Sequence, residues 1–83
     1  MTLSRGLVVI SKAGHDKRDL FIVLNFDGKN VIICDGKRRK LENPKSKNEK
    51  HLILTSIKLD EESMKSNSSI RKELNALKEK MKS

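Results

Sequence analysis

Residues 20–36 read LFIVLNFDGKNVIICDG and decide the fold, because they join two apolar runs through a turn signal. The first run, Leu20 to Phe26, is nearly all apolar or β-branched, and the second is Val31 to Cys34. Between them lies Asp27-Gly28, and glycine supplies the positive φ that a tight reversal needs. The stretch therefore predicts a β-hairpin.

Similar runs lie on both sides of this hairpin and predict a small antiparallel sheet rather than helices. A second Asp-Gly pair, Asp35-Gly36, repeats the hairpin signal before a charged segment. The sequence predicts a polar loop at Glu42–Lys50. The remaining strands are predicted at Gly6–Lys12, Lys37–Glu42 and His51–Thr55. Residues 1–55 are thus expected to form a mainly β domain, a small five-stranded barrel.

After Thr55 the composition changes, and the sequence predicts a linker at residues 56–67 and a helix at residues 68–83. Candidate N-cap residues are Asn67, Ser68 and Ser69. Apolar residues recur with 4-3-4 spacing on one helical face, at Ile70, Leu74, Leu77 and Met81. Cations line one flank, at Arg71, Lys78 and Lys82. The apolar seam must be covered by the barrel, by a neighbouring protein or RNA groove, or by a second copy of the chain.

The net charge indicates the class of partner. Nineteen Lys and Arg against eleven Asp and Glu give +8 and a pI near 9.9, which is typical of proteins that neutralise phosphates. A membrane-surface helix would need large apolar or aromatic residues, yet the chain has no Trp or Tyr. No apolar run reaches about 20 residues, and Leu7 to Ile10 is too short for a signal peptide. We expect a cytoplasmic protein that binds no membrane.

Catalysis and cofactor binding are not expected from the residue types. Cys34 ends an apolar strand and is interpreted as a small buried hydrophobe, and a single cysteine cannot form an internal disulfide. His15, His51 and Cys34 lie too far apart in sequence for a zinc motif. The acidic triplet Asp60–Glu62 is interpreted as part of a solvated linker. We therefore expect no enzyme, no cofactor, no metal and no small-molecule substrate.

Two basic clusters are candidate RNA-binding segments. The first surrounds one predicted loop and consists of Lys12, His15, Lys17 and Arg18. The second has four consecutive cations, Lys37, Arg38, Arg39 and Lys40, with Lys45, Lys47 and Lys50 extending it. Lys and Arg can meet phosphate oxygens, and a small barrel cannot bury such cations unpaired. The alternatives are a solvated loop for the first cluster and a solubilising edge strand for the second.

The segment Arg5–Lys17, which reads RGLVVISKAGHDK, resembles the KOW motif. That motif is an alternating strand that enters a tight loop at a glycine and returns as a second strand. Gly14 matches the glycine of the motif, where a residue without Cβ lets the backbone lie close to RNA. Many family members carry a second glycine soon after the loop lysine, whereas Lys17 is followed here by Arg18 and Asp19.

The later segments Val31–Gly36 and Lys50–Thr55 are similar in order to those of one KOW subgroup. That subgroup includes archaeal and eukaryotic large-subunit ribosomal proteins and short bacterial ribosomal-like proteins. The resemblance spans Arg5 to Thr55. It implies an SH3-like barrel that binds RNA, with Gly14 in the RNA-binding loop.

These observations predict a ribosomal or ribosome-associated protein that contacts folded ribosomal RNA through basic barrel loops and a strand edge. Single-strand readers stack bases on exposed aromatics, whereas Phe21 and Phe26 are both expected in the core. Phosphates, 2′-hydroxyls and shape should therefore be recognised instead. The helix is expected to contact the barrel or a neighbouring ribosomal protein. Two alternatives stay open: a free regulatory RNA-binding factor in transcription or translation, and a protein-interaction adaptor whose helix carries the function.

Overall fold

The computed structural model describes residues 3–12 and 18–82, which form an open antiparallel sheet followed by an α-helix. The strands are β1 (Leu7–Ser11), β2 (Leu20–Asp27), β3 (Asn30–Cys34), β4 (Lys45–Asn48) and β5 (Leu52–Lys58). One turn of 3-10 helix (Glu49–His51) separates β4 from β5, and α1 spans Asn67–Lys82. The strand order is β4-β3-β2-β1-β5. The predicted mainly β class with five strands and a C-terminal helix is confirmed.

The predicted position of the fourth strand, Lys37–Glu42, is wrong. Residues 36–39 form a bend, and β4 lies at Lys45–Asn48, within the segment for which the sequence predicts a polar loop. The side chain of Asp35 accepts two backbone N–H groups of the bend, in place of the ladder hydrogen bonds of a strand. The polar composition of β4 is tolerated because this strand pairs with β3 at the edge of the sheet.

The chain between β5 and α1, residues 59–66, is folded against the sheet. Met64 is 3% exposed and belongs to the core. The backbone N–H of Leu59 donates to the carbonyl of Gly6 at 2.8 Å, and Arg5 Nε lies 3.0 Å from Glu61 Oε2. This segment therefore contributes packing and an ion pair, and β5 continues past Thr55 to Lys58.

Apolar side chains occupy both faces of the sheet, because successive residues of β1 and β2 point to opposite sides. The first core contains Leu7, Val9, Phe21, Val23, Val31, Ile33 and Leu52. The second core, on the other face, contains Val8, Leu20, Ile22, Cys34, Met64, Ile70 and Leu74. Strands buried on both faces are continuous apolar runs, which explains why Leu20 to Leu24 shows no polar alternation.

The two phenylalanines have different environments, so the expectation that both pack in the core is wrong for Phe26. Phe21 is 1% exposed and Phe26 is 43% exposed. The pairing of β2 with β3 shifts register between Val23 and Asn25, and beyond this bulge residues 25–27 are all exposed. The end of the hairpin thus projects beyond the core, with Phe26 on it.

The apolar seam of α1 packs on the second core. Ile70 and Leu74 are buried, Leu77 packs against them at the edge of the cluster, and Met81 is 54% exposed. The sheet therefore covers the N-terminal part of the apolar seam, one of the possible partners named from the sequence. Within the described residues, no helix has the length and apolar character to cross a membrane.

The N-cap of α1 is Ser66, one residue before the candidates named from the sequence. Its Oγ accepts the backbone N–H of Ser69 at 3.1 Å, and its carbonyl accepts the N–H of Ile70 at 3.0 Å. The side chain of Asn67 is therefore not needed as a cap, and it binds Leu41 and Glu42 outside the helix.

Candidate nucleic-acid interface

The basic segment at residues 37–40 belongs to a compact loop, which we call the basic loop and define as residues 35–40. Asp35 Oδ1 accepts the backbone N–H groups of Lys37 and Arg39, both at 2.9 Å. The N–H groups of Asp35 and Gly36 donate to the carbonyl of Arg39 at 2.9 and 3.1 Å. Four hydrogen bonds within six residues hold this loop in one conformation.

The cations of the basic loop differ in exposure. Lys37, Arg38 and Lys40 are exposed, whereas Arg39 is half-buried. Arg39 Nε is enclosed and has no hydrogen-bond partner among the described residues. Because the segment is a loop, strict alternation between two faces does not apply. Arg38 and Lys40 therefore do not form one strand face opposed to Arg39.

The basic loop is attached to the start of α1. Asn67 Oδ1 accepts the backbone N–H of Leu41 at 2.7 Å, and Asn67 Nδ2 donates to Glu42 Oε1 at 2.8 Å. This second bond lowers the pKa of the Glu42 carboxyl, because it stabilises the ionised form. Gly36, at φ +76°, lies so close to α1 that a Cβ would overlap the Asn67 carbonyl oxygen and crowd the Arg71 backbone nitrogen.

A groove of about 170 Å³ lies between the basic loop and α1. Its lining residues are Asp19, Leu20, Asp35, Lys37, Arg38, Arg71, Leu74, Asn75 and Lys78. Four of them are cations and two are carboxylates, so the groove has a net charge of +2. None of the four cations forms an ion pair with another described residue. We call this cavity the loop–helix groove.

Three of the predicted site residues, Gly14, His15 and Lys17, lie outside the described residues. Lys12 and Arg18, which flank them, are exposed. The N–H of Arg18 donates to the carbonyl of Ser11 at 2.7 Å. The next residue, Asp19, lines the loop–helix groove, whereas Lys12 and Arg18 do not.

Lys45 and Lys47 lie on β4, and both are partly buried. Lys47 stands opposite Val31 in the β3–β4 ladder, so its side chain is on the face of the first core. Its Nζ donates to Ser11 Oγ at 2.6 Å, and Ser11 is 1% exposed. Of the predicted residues, the structure brings Lys37 and Arg38 into the loop–helix groove but not Lys40, Lys45 or Lys47.

The groove residues on α1 were not among the predicted site residues. Arg71, Asn75 and Lys78 have the spacing i, i+4, i+7 and therefore lie on one side of the helix. The sequence shows this cationic flank beside the apolar seam. Its meeting with the basic loop depends on how the helix docks, which helical spacing does not specify.

Cys34 is fully buried beneath α1 in the second core. Burial, together with the nearby Asp35 carboxylate, raises the pKa of its thiol to about 11. The thiol therefore stays protonated at neutral pH, which is a state of low nucleophilicity. No group of three metal-ligating side chains occurs within the described ranges 3–12 and 18–82.

The acidic triplet at residues 60–62 makes local structural contacts. Asp60 Oδ1 accepts the N–H of Ser63 at 2.8 Å, which lowers the pKa of Asp60. Glu61 pairs with Arg5, whose Nη1 also donates to the carbonyl of Leu24 at 3.0 Å. Asp60 and Glu62 line a second concavity together with Glu73 and Lys72, none of which lines the loop–helix groove.

Comparisons with protein-family models and with curated proteins identified no relative. No protein-family model matches the chain, and no curated protein matches it significantly.

Proposed function

We propose that this protein binds folded RNA, as a ribosomal or ribosome-associated protein of the cytoplasm, and that it does so through phosphate contacts. The observation that carries the proposal is the rigid basic loop, which holds Lys37 and Arg38 beside Arg71 and Lys78 without paired carboxylates. Because its backbone is already held by hydrogen bonds, the loop loses little backbone entropy when its cations meet phosphates, which suits an ordered polyanion.

The KOW resemblance supports this proposal through the fold that it implies. We propose that the sheet curls into a small SH3-like barrel. The Lys47–Ser11 hydrogen bond supports strong curvature, because β4 and β1 are separated by two strands in the sheet. Register shifts in the β1–β5 and β2–β3 ladders support it too, since bulges bend a strand and increase its twist.

The aromatic content supports folded rather than single-stranded RNA as the ligand. Base-stacking platforms use several exposed aromatic rings. Phe21 is buried, and Phe26 is half-exposed at the far end of the β2–β3 hairpin. Recognition through phosphates, 2′-hydroxyls and shape is the mode that the remaining surface supplies.

The contacts of α1 bear on the two alternatives, a protein-interaction adaptor and a free regulatory RNA-binding factor. An adaptor would present the apolar seam of α1 to a partner, but Ile70 and Leu74 are used in packing on the sheet. The exposed end at Met81 is the part of the seam that a neighbouring ribosomal protein could contact. A free regulatory RNA-binding factor would use the same cations, so it differs from the proposal only in where the RNA is found.

A salt titration tests the binding mechanism. RNA-hairpin binding should weaken steeply with salt: the logarithm of the association constant should fall with the logarithm of the salt concentration with a slope of about −3 for about four phosphate contacts. Nanomolar affinity that stays flat from low to high salt would contradict the electrostatic mechanism. Co-sedimentation with ribosomal subunits after a high-salt wash then separates the roles. Stoichiometric retention supports a ribosomal protein, loss with salt supports a free factor, and absence throughout supports an adaptor.

A further inference from the structure

The loop–helix groove has dimensions that restrict its occupant. Its volume is about 170 Å³, whereas pockets that enclose a whole small-molecule ligand have about 300–1,000 Å³. Most of its lining residues are polar or charged, and Leu20 and Leu74 provide an apolar floor. A groove of this size suits one charged group that projects from a larger molecule.

The charges of the groove specify the sign of that group. Lys37 and Arg38 come from the basic loop, and Arg71 and Lys78 come from α1, so cations face the groove from both walls. One of the two carboxylates, Asp35, already accepts two backbone hydrogen bonds within its own loop. Asn75, between Arg71 and Lys78 on the helix, adds a side-chain amide that can donate to an oxygen.

We propose that the loop–helix groove binds a phosphate group of the RNA, which makes the C-terminal helix part of the RNA-binding surface. This inference rests on the proposed function and specifies which residues perform it. Arg71 and Lys78 contact phosphate oxygens from the helix, and Lys37 and Arg38 contact them from the loop. Arginine can do so with two parallel N–H donors.

The opposite flank of α1 provides a natural comparison. Lys72 follows Arg71 in sequence, and both residues are exposed to solvent. It lies in a concavity with Asp60, Glu62 and Glu73, where carboxylates outnumber cations. Two adjacent cations on one helix thus have electrostatic surroundings of opposite sign.

The groove exists only while the helix is docked, because one of its walls is α1. Phosphate binding should therefore favour the docked helix, by the linkage that applies to any ligand of the folded state. RNA binding should in turn raise the melting temperature of the helix.

The test compares Arg71→Gln with Lys72→Gln, which change the net charge equally on the same helix. Arg71→Gln should weaken RNA binding by about tenfold at low salt and reduce the salt slope by about one, as expected for a lost phosphate contact. Lys72→Gln should change the affinity by less than about twofold. Lys78→Gln serves as the second groove variant if Arg71→Gln alters the melting curve.

The source of the phosphate is distinguished with duplex RNA that carries either a 5′-hydroxyl or a 5′-phosphate. An equal loss for both RNAs on Arg71→Gln assigns a backbone phosphate, and a loss for the 5′-phosphorylated RNA alone assigns a terminal one. Equal effects of the groove variants and Lys72→Gln would overturn the groove assignment while leaving RNA binding intact. Failure of the wild-type protein to bind RNA at low salt would overturn both.

Discussion

Asn67, the first residue of α1, binds the chain that leaves the basic loop, because its Oδ1 accepts the backbone N–H of Leu41 at 2.7 Å. Its amide nitrogen donates to Glu42 Oε1 at 2.8 Å. A single side chain thus connects the helix with the chain that directly follows the basic loop. Together with the packing of Ile70 and Leu74 in the second core, these hydrogen bonds fix the position of the helix relative to the loop.

Asn67→Ala should therefore destabilise the protein and weaken RNA binding. The substitution leaves the Leu41 N–H without its partner, and losing one side of a partly buried hydrogen bond costs about 1–3 kcal/mol. Urea unfolding measures the change. Ser68→Ala is the matched control, because Ser68 is exposed, and it should change stability by no more than about 0.5 kcal/mol. Equal stability of both variants would contradict the role of Asn67.

The contribution of Glu42 should depend on pH. The hydrogen bond from Asn67 lowers the pKa of Glu42 in the folded state below its ordinary value of 4.5. The folded state thus binds this proton more weakly than the unfolded state, so the stabilisation is fully present above about pH 4.5 and is lost as the pH falls through the folded-state pKa. The stability difference between wild type and Glu42→Gln, measured by urea unfolding at pH 7, 5 and 3, should shrink at pH 3. A difference that grows on acidification would contradict the assignment.

Gly36 should tolerate alanine less well than Gly28. Both have positive φ, +76° and +60°, which costs an L-residue about 1–2 kcal/mol. A Cβ at Gly28 meets nothing within 4 Å, whereas at Gly36 it overlaps the backbone of Asn67. Thermal unfolding should show a clearly larger loss for Gly36→Ala, with weaker RNA binding as the loop and helix separate. Equal losses would mean that the loop does not press on the helix.

Two substitutions of Asp35 should have opposite effects on RNA affinity. Asp35→Asn keeps an acceptor oxygen for the N–H groups of Lys37 and Arg39 but removes a negative charge from the groove. We expect a salt-sensitive gain in RNA affinity of about two- to threefold from the reduced repulsion. Asp35→Ala removes the acceptor and should destabilise the loop by about 1–3 kcal/mol and weaken binding. Fluorescence anisotropy with RNA and urea unfolding measure the two effects; a loss of affinity in Asp35→Asn would contradict the charge argument.

The rate at which a thiol reagent labels Cys34 should depend on whether the helix is docked on the sheet. The thiol is buried under Ile70 and Leu74, and burial raises its pKa to about 11, so a thiol reagent at pH 8 should react slowly with the folded protein. Leu74→Ala removes buried packing worth about 2–5 kcal/mol and should accelerate the labelling of Cys34. Met81→Ala, at a half-exposed position of the same seam, should not. Identical labelling rates in the two variants would contradict the docked arrangement.

The strands with strong apolar character could be predicted from local pattern. The runs at Leu20–Asp27 and Asn30–Cys34 are strands, joined at Gly28 as the turn signal predicts. The spacing of Ile70 and Leu74 likewise predicts the helix and its buried face. In each case the signal is the match between residue spacing and the period of the element, which needs no knowledge of the rest of the chain.

The fourth strand could not be predicted in this way. Residues 45–48 are polar and resemble a loop, and they become β4 because the edge of β3 offers them partners. The predicted strand at Lys37–Glu42 is instead a bend and a turn, because the Asp35 side chain accepts the backbone N–H groups of Lys37 and Arg39. Pairing at a sheet edge is a long-range interaction, and a side chain that competes for backbone donors can cancel a local preference.

The sequence by itself determined the mainly β class, the amphipathic helix and the excess of positive charge, because periodicity and composition are local properties of the chain. The tertiary structure alone decided which charges meet. Lys37 and Arg38 lie beside Arg71 and Lys78 only because Ile70 and Leu74 dock on the sheet and Asn67 binds Leu41. Docking of the helix is set by the shape of the second core and by hydrogen bonds between distant segments, and neither can be read from residue spacing along the chain.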